Sequence, residues 1–316
     1  MMRGLMLAVV CLLIGAAPAE VPLGKFQPWF GSSRTATDFV SDGVKVHVEA
    51  LPCPARPIGE STCGFEGFNN QAAITVTGPR SASLTVTTDP QGSYARIAVV
   101  RFSRNDARSG VIIESQSGGS GGNLTAQVLI PEGDGYRAVD VGQHHGSGLQ
   151  GELADFPRDV SGEGMVDLKL EDGAFDSAFG CNACTPRPPR LLAVKDGKVV
   201  DESRDPALRP VFAKDMARLA PICLSKASDR NGACAAYVAD AARAGRFNEA
   251  WAAMLKHYER DQQWWQPCSV PVAAQVNGRC PKGSSISFPD ALRAFLIRTG
   301  YLPQSKSASD RSSSKS

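Results

Sequence analysis

The sequence lacks a charge excess of either sign. Its 316 residues carry 34 Lys and Arg against 32 Asp and Glu, so it has no basic footprint for DNA, RNA or an anionic membrane surface. Long apolar runs are missing too. Residues 5–17 form one stretch of 13 residues, below the ~18–20 that a spanning helix needs. Nothing after it is apolar for long enough, so no integral membrane segment is expected in the mature chain. Aromatics are sparse at 7%, and 31 Gly with 21 Pro are ordinary numbers, which excludes a collagen-like or a wholly disordered chain. No strand pattern alternates with a long helical one, so the parallel sheet of an α/β protein is not expected. No motif joins the residue types and the local context that catalysis needs.

What is present begins with the N-terminus. Arg3 gives the apolar run a positive start, and Ala17-Pro18-Ala19 is a small-x-small cleavage site. This predicts a secretory signal peptide over residues 1–19, cut before Glu20. Cys11 lies inside the run and follows Val10, which disfavours a lipoprotein. The other eight cysteines form close pairs: Cys53/Cys63, Cys181/Cys184, Cys223/Cys234 and Cys268/Cys280. An oxidising compartment favours disulfides. Sequence does not choose among the connectivities, but pairing of neighbours closes the shortest loops, each stabilising by roughly 3 kcal/mol. A periodic switch organises the rest. Strands are expected at 44–48, 74–77, 84–88, 97–100, 111–113, 124–130, 166–170, 174–179 and 191–194, with a hairpin at Asp196-Gly197. Helices are expected at 212–219, 235–244, 247–258 and 288–299, the last capped by Ser287 with Asp290 and ended by Gly300. The expected class is α+β: a β-rich domain over 20–204, of propeller-like or sandwich-like antiparallel sheets, then a small helical region over 205–303. A Ser/Lys-rich tail over 304–316 reads as disordered.

Few residues are candidates for chemistry. In the acidic stretch 159–167, Asp159, Ser161, Glu163 and Asp167 fall at the side-chain positions of a calcium loop, with the Met165 carbonyl at the seventh position. Ser161 is a weak ligand and Glu163 is one methylene too long, so the loop reads as a weak calcium site or an ordinary polar turn. Cys181-Asn-Ala-Cys184 has redox spacing, but the Pro-rich segment after it forbids the helix that a reactive thiol uses. A zinc half-site there lacks a second ligand pair, and a structural disulfide is the simpler reading. Ser120 sits in Gly-x-Ser-x-Gly without the strand-to-helix context of a nucleophile elbow. His144 and His145 lie in a Gly-rich loop, and His47 and His257 read as ordinary strand and helix residues. Trp264 and Trp265 read as packing beneath the last cysteine pair.

The order of a strand ending Glu114-Ser-Gln-Ser-Gly-Gly119, a Gly-rich stretch, the acidic loop, Phe175-x-x-Ala-Phe179 and the segment 192–203 resembles a group of secreted bacterial proteins. Their acidic loops look like the FG-GAP/VCBS repeats of integrin-like β-propellers. The resemblance covers roughly residues 96–206. It implies export and weakly bound calcium, not a reaction. Such relatives have Gly-Gly-Ala-His-Cys-Cys where this chain has Gly-Gly-Ser-Gly-Gly-Asn at 118–123, which removes a His/Cys cluster. The reading is an exported, periplasmic or secreted, non-enzymatic protein that binds a protein or glycan of the envelope or extracellular space. The competing reading is a hydrolase using His144 or His145 with a carboxylate such as Asp155 or Asp159.

Overall fold

The computed structural model describes residues 21–30, 35–51, 71–80, 82–88, 92–117, 124–141, 149–150, 157–180, 185–226, 228–262, 267–270, 274 and 280–304. Strands β1 (Val21–Pro22) and β2 (Gln27–Phe30) precede a meander of β3 (Thr37–Ser41), β4 (Val44–Ala50), β5 (Ala72–Thr77) and β6 (Ser83–Thr87). A second meander follows, with β7 (Gly92–Val100), β8 (Gly110–Ser117), β9 (Leu124–Glu132) and β10 (Gly135–Asp140), and β2 adds to its β7 edge. The third sheet has β11 (Leu149–Gln150), β12 (Arg158–Asp159), β13 (Asp167–Asp172), β14 (Pro189–Lys195) and β15 (Lys198–Asp201). Its order is β1-β12-β13-β14-β15, with β11 also on β13. All these pairings are antiparallel.

Strand alternation sets the stacking. On β4, Val44, Val46 and Val48 are buried and Lys45 faces water. They meet Ile74 and Val76 of β5 and, from the second sheet, Ile97, Val111, Ile113 and Leu129. The opposite face of the second sheet presents Ala98, Ile112, Ala126 and Val128 to Leu168, Leu170 and Leu192 of the third. The second sheet is therefore a middle layer covered on both faces, which is why Val111, Ile112 and Ile113 of β8 are apolar in succession. Asp42-Gly43 and Asp196-Gly197 both take positive φ (48° and 73°, 49° and 71°) in the two-residue hairpins that enter β4 and β15.

The helices cover the outer face of the third sheet. They are α1 (Arg209–Cys223), α2 (Asn231–Arg243), α3 (Phe247–His257) and α4 (Phe288–Arg298). Leu208 and Phe212 pack on Val160 and Leu191 of that sheet. Helix α2 is the centre of the cluster: every residue from Asn231 to Asp240 is buried, and its many alanines let the neighbouring helices come close. Gly245 (φ 77°) turns the chain into α3. Ser287 caps α4 by accepting from the Asp290 N–H at 3.2 Å, and Gly300 (φ 78°) follows its last turn. Disulfides join Cys223 at the end of α1 to Cys234 in α2, and Cys268 to Cys280 before α4.

The antiparallel β-region followed by helices agrees with the expected class. One expected strand does not form. Residues 174–179 hold a 3-10 turn, Gly173–Phe175, capped by Asp172, whose carboxylate accepts from the Ala174 N–H. Phe175 and Phe179 are four residues apart, so in this turn both point into the helical core. There they meet Phe295 edge-on at 4.9 and 5.1 Å. This loop is the peg that fixes the sheet to the helices.

Candidate functional site

The acidic stretch forms the reversal between β12 and β13. Asp167 accepts from the N–H groups of Val160 and Ser161, both at 2.7 Å. Asp159 accepts from the N–H groups of Gly162 and Gly164, both at 2.6 Å, and from the Ser161 hydroxyl at 3.4 Å. Gly162 and Gly164 take φ of 81° and 76°, the left-handed geometry that brings those amides inward. Glu163 instead points out toward Lys195, 3.6 Å away, and Met165 is half-buried. Asp159 thus turns both of its oxygens, and Asp167 its Oδ2, onto the loop's own backbone. Burial raises the pKa of Asp167, against the pull of its amide bonds. Among the described residues no group of three or more His, Cys, Asp or Glu is placed to hold a metal. The calcium-loop reading is corrected accordingly: the loop is an amide-closed turn.

Other candidates lie outside the described residues: the signal segment 1–19, Cys53, Cys63, Cys181, Cys184, Ser120, His144, His145, Asp155, Trp264, Trp265 and the tail from 305. His47 bonds Asp38 across β3 and β4 at 2.8 Å, and His257 is exposed at the end of α3.

A feature without a sequence motif lies where the third sheet meets α2 and α4. A cleft of about 700 Å³ is lined by Arg190, Arg204, Arg243, Arg298, Asp172 and Asp201. Arg190 of β14 pairs with Asp201 of β15 through Nη2 at 2.7 Å and Nε at 3.2 Å. The other Asp201 oxygen accepts from the Ser203 N–H at 2.9 Å. Asp172 accepts from the Ala174 N–H at 3.0 Å and from the hydroxyl of buried Tyr301 at 2.9 Å. Both carboxylates are therefore occupied. Arg204 donates to the Gly300 carbonyl at 2.8 Å. The guanidinium of Arg243 lies 4.5 Å over the Tyr301 ring, and that of Arg298 lies 5.4 Å over Phe295. Among the described residues no carboxylate lies within ion-pair distance of Arg204, Arg243 or Arg298. Burial lowers the pKa of Arg243 and Arg204 nearby adds to the effect, while Tyr301, Asp201 and Asp172 oppose it. Four arginines against two aspartates leave a formal surplus of two positive charges. Such an arrangement can hold an anion through forked, charge-assisted hydrogen bonds.

Sequence reading had no means of finding this cleft. Its arginines come from a strand, a connection and the last turns of two helices. Arg243 and Arg298 each look like an ordinary cation complementing a helix C-terminus.

A second polar cluster lies under α2. Asp240 is fully buried, and neither carboxylate oxygen has a hydrogen-bond partner. Burial, with Asp215 close by, raises its pKa well above the usual carboxylate range, while Arg218 and Lys169 oppose the shift. Burial also lowers the pKa of Lys169 and raises that of Glu171 on β13.

Fold and cleft together define a stack of antiparallel sheets with a helical cap and a basic cleft at the junction. Residues 212–300, which carry α2 and α4 with Arg243 and Arg298, match the family model described as the sll0997 C-terminal domain. The chain is similar to the probable thylakoid lumen protein sll0997 of Synechocystis sp. (strain ATCC 27184 / PCC 6803 / Kazusa), at 27% identity over 241 residues, 74% of this chain and 66% of that protein. It is also similar to the uncharacterized protein y4bJ of Sinorhizobium fredii (strain NBRC 101917 / NGR234), at 26% identity over 216 residues, 66% of this chain and 32% of that protein. The chain therefore spans less than two thirds of either relative's length. No solved structure matches it. These likenesses point away from the integrin-like FG-GAP/VCBS proteins and correct that resemblance. Among the described residues, no helix is long and apolar enough to cross a membrane.

Proposed function

We propose that the protein is exported and acts outside the cytoplasm as a binding protein, taking an anionic ligand in the arginine cleft without chemical conversion. The observation that carries this reading is the convergence of Arg204, Arg243 and Arg298 on one cleft with no carboxylate partner among the described residues. Grouped guanidinium groups repel one another, and an anion between them relieves that repulsion. Export is supported by the signal-like N-terminus, the two disulfides and the likeness to a protein named as a probable thylakoid lumen protein. The binding role is supported by the state of the cleft's carboxylates: Asp172 and Asp201 are engaged by Tyr301, Arg190 and backbone amides, so neither is poised to accept a substrate proton.

Calorimetric titration at low ionic strength with inorganic phosphate and with galacturonate tests the reading. Binding of at least one is expected, weakened about tenfold or more by Arg243→Ala, since hydrogen bonds to charged groups contribute about 1.5–3 kcal/mol. Absence of binding by both anions, or equal binding by the variant, would overturn it.

A further inference from the structure

We infer that the cleft is one end of an elongated site whose ligand is a linear acidic glycan, an inference that rests on the anion-binding reading above. Arg190 and Asp201 line the cleft on one side and a second concavity of about 290 Å³ on the other. The second concavity lies between β10 and the β14–β15 hairpin, with exposed Lys198, Arg137 and Asp140 among its charged lining residues and Val139 and Val199 among its apolar ones. A single ion pair therefore separates two hollows that run along one edge of the third sheet.

The charges along this path are spaced rather than massed. Arg243 and Arg298 stand unpaired at one end, and exposed Lys198 has no carboxylate within ion-pair distance among the described residues at the other. The Arg190–Asp201 pair between them is internally neutral. A ligand that reaches both ends has negative charges on separate units with uncharged matter between. Polyphosphate does not fit, because its dense charge would run against Asp172, Asp201 and Asp140 along the path. Sugar hydroxyls fit better: they donate to carboxylates, and the apolar ring faces lie against Val139, Val199 and the edge of Phe295. A carboxylate on the sugar then meets a guanidinium fork.

An acidic peptide is the rival occupant, and it would add as a strand along the open side of β15. The geometry disfavours it. Strand β15 has four residues, and the Arg137 guanidinium of β10 donates to the Gly197 carbonyl, latching the hairpin end of that edge.

The test titrates the full chain with galacturonate dimer and octamer, octaglutamate and inorganic phosphate at one low ionic strength. The variants are Arg298→Ala, Lys198→Ala and, as a matched loss of charge on the distant β4, Lys45→Ala. The octamer should bind at least about tenfold more tightly than the dimer, as linked subsites do. Lys198→Ala should weaken the octamer about three- to fivefold, the size of a rim charge, and leave the dimer unchanged. Arg298→Ala should weaken both, and Lys45→Ala neither. Equal binding of dimer and octamer, or an octamer indifferent to Lys198→Ala, would end the site at the Arg190–Asp201 pair; the elongated site would fall while the anion cleft stood. Octaglutamate binding as tightly as the octamer would replace the glycan by a peptide. If no anion binds, the cleft reading and this inference fall together.

Discussion

At the residue scale, Asp240 on α2 has no hydrogen-bond partner for either oxygen and no exposure to water. Its neutral form is therefore favoured in the folded state. The unfolded chain loses this proton near pH 4, whereas the folded chain keeps it to higher pH. In that window the folded state binds more protons, so stability falls as pH rises. Asp240→Asn removes the ionisation at little change in volume. The unfolding free energies of wild type and variant should coincide near pH 4 and diverge in the variant's favour as pH rises, by about 1–3 kcal/mol at pH 8. Parallel pH profiles would refute the buried neutral carboxyl. Asp167 differs in that backbone N–H groups donate to its carboxylate, although burial raises its pKa too. Asp167→Ala should cost about 2–4 kcal/mol in urea unfolding. Because the loop closes on its own amides, wild type should melt alike in EDTA and in millimolar calcium; a calcium-dependent rise that Asp167→Ala abolishes would contradict the amide-closed turn.

At the element scale, the peg formed by Phe175 and Phe179 ties the third sheet to the helices. Phe175 is fully buried and meets both Phe295 and Tyr301 edge-on. Phe175→Ala should destabilise the protein by about 3–5 kcal/mol, read from chemical denaturation; a loss near zero would mean that sheet and helices do not depend on this contact. The peg also shows what was legible in the sequence. Strands β4, β5 and β13 were readable because one face is buried and alternation survives in the residue order. Helices α2 to α4 were readable because their apolar faces recur at helical spacing. The stretch 174–179 was misread because short apolar runs fit both periods, and only the helical core decides that Phe175 and Phe179 point the same way. The strands β2 and β3 were missed because they are edge strands with little alternation: β3 has no fully buried residue.

At the scale of the whole molecule, the middle sheet is buried on both faces, and the outer face of the third sheet is the one that the helices cap. The cleft exists only where these parts meet: Arg190 and Asp201 come from the sheet, and Arg243 and Arg298 from the helices. No local segment contains it, which is why residue order concealed it. The family match over 212–300 holds the helical wall alone, whereas the cleft is lined from the sheet and the helices together. The most direct test of this account is a crystal structure of the protein grown with galacturonate dimer. The account predicts a sugar carboxylate within hydrogen-bond reach of the Arg243 or Arg298 guanidinium, inside the cleft. A dimer bound on another face, with only water between those arginines, would contradict it.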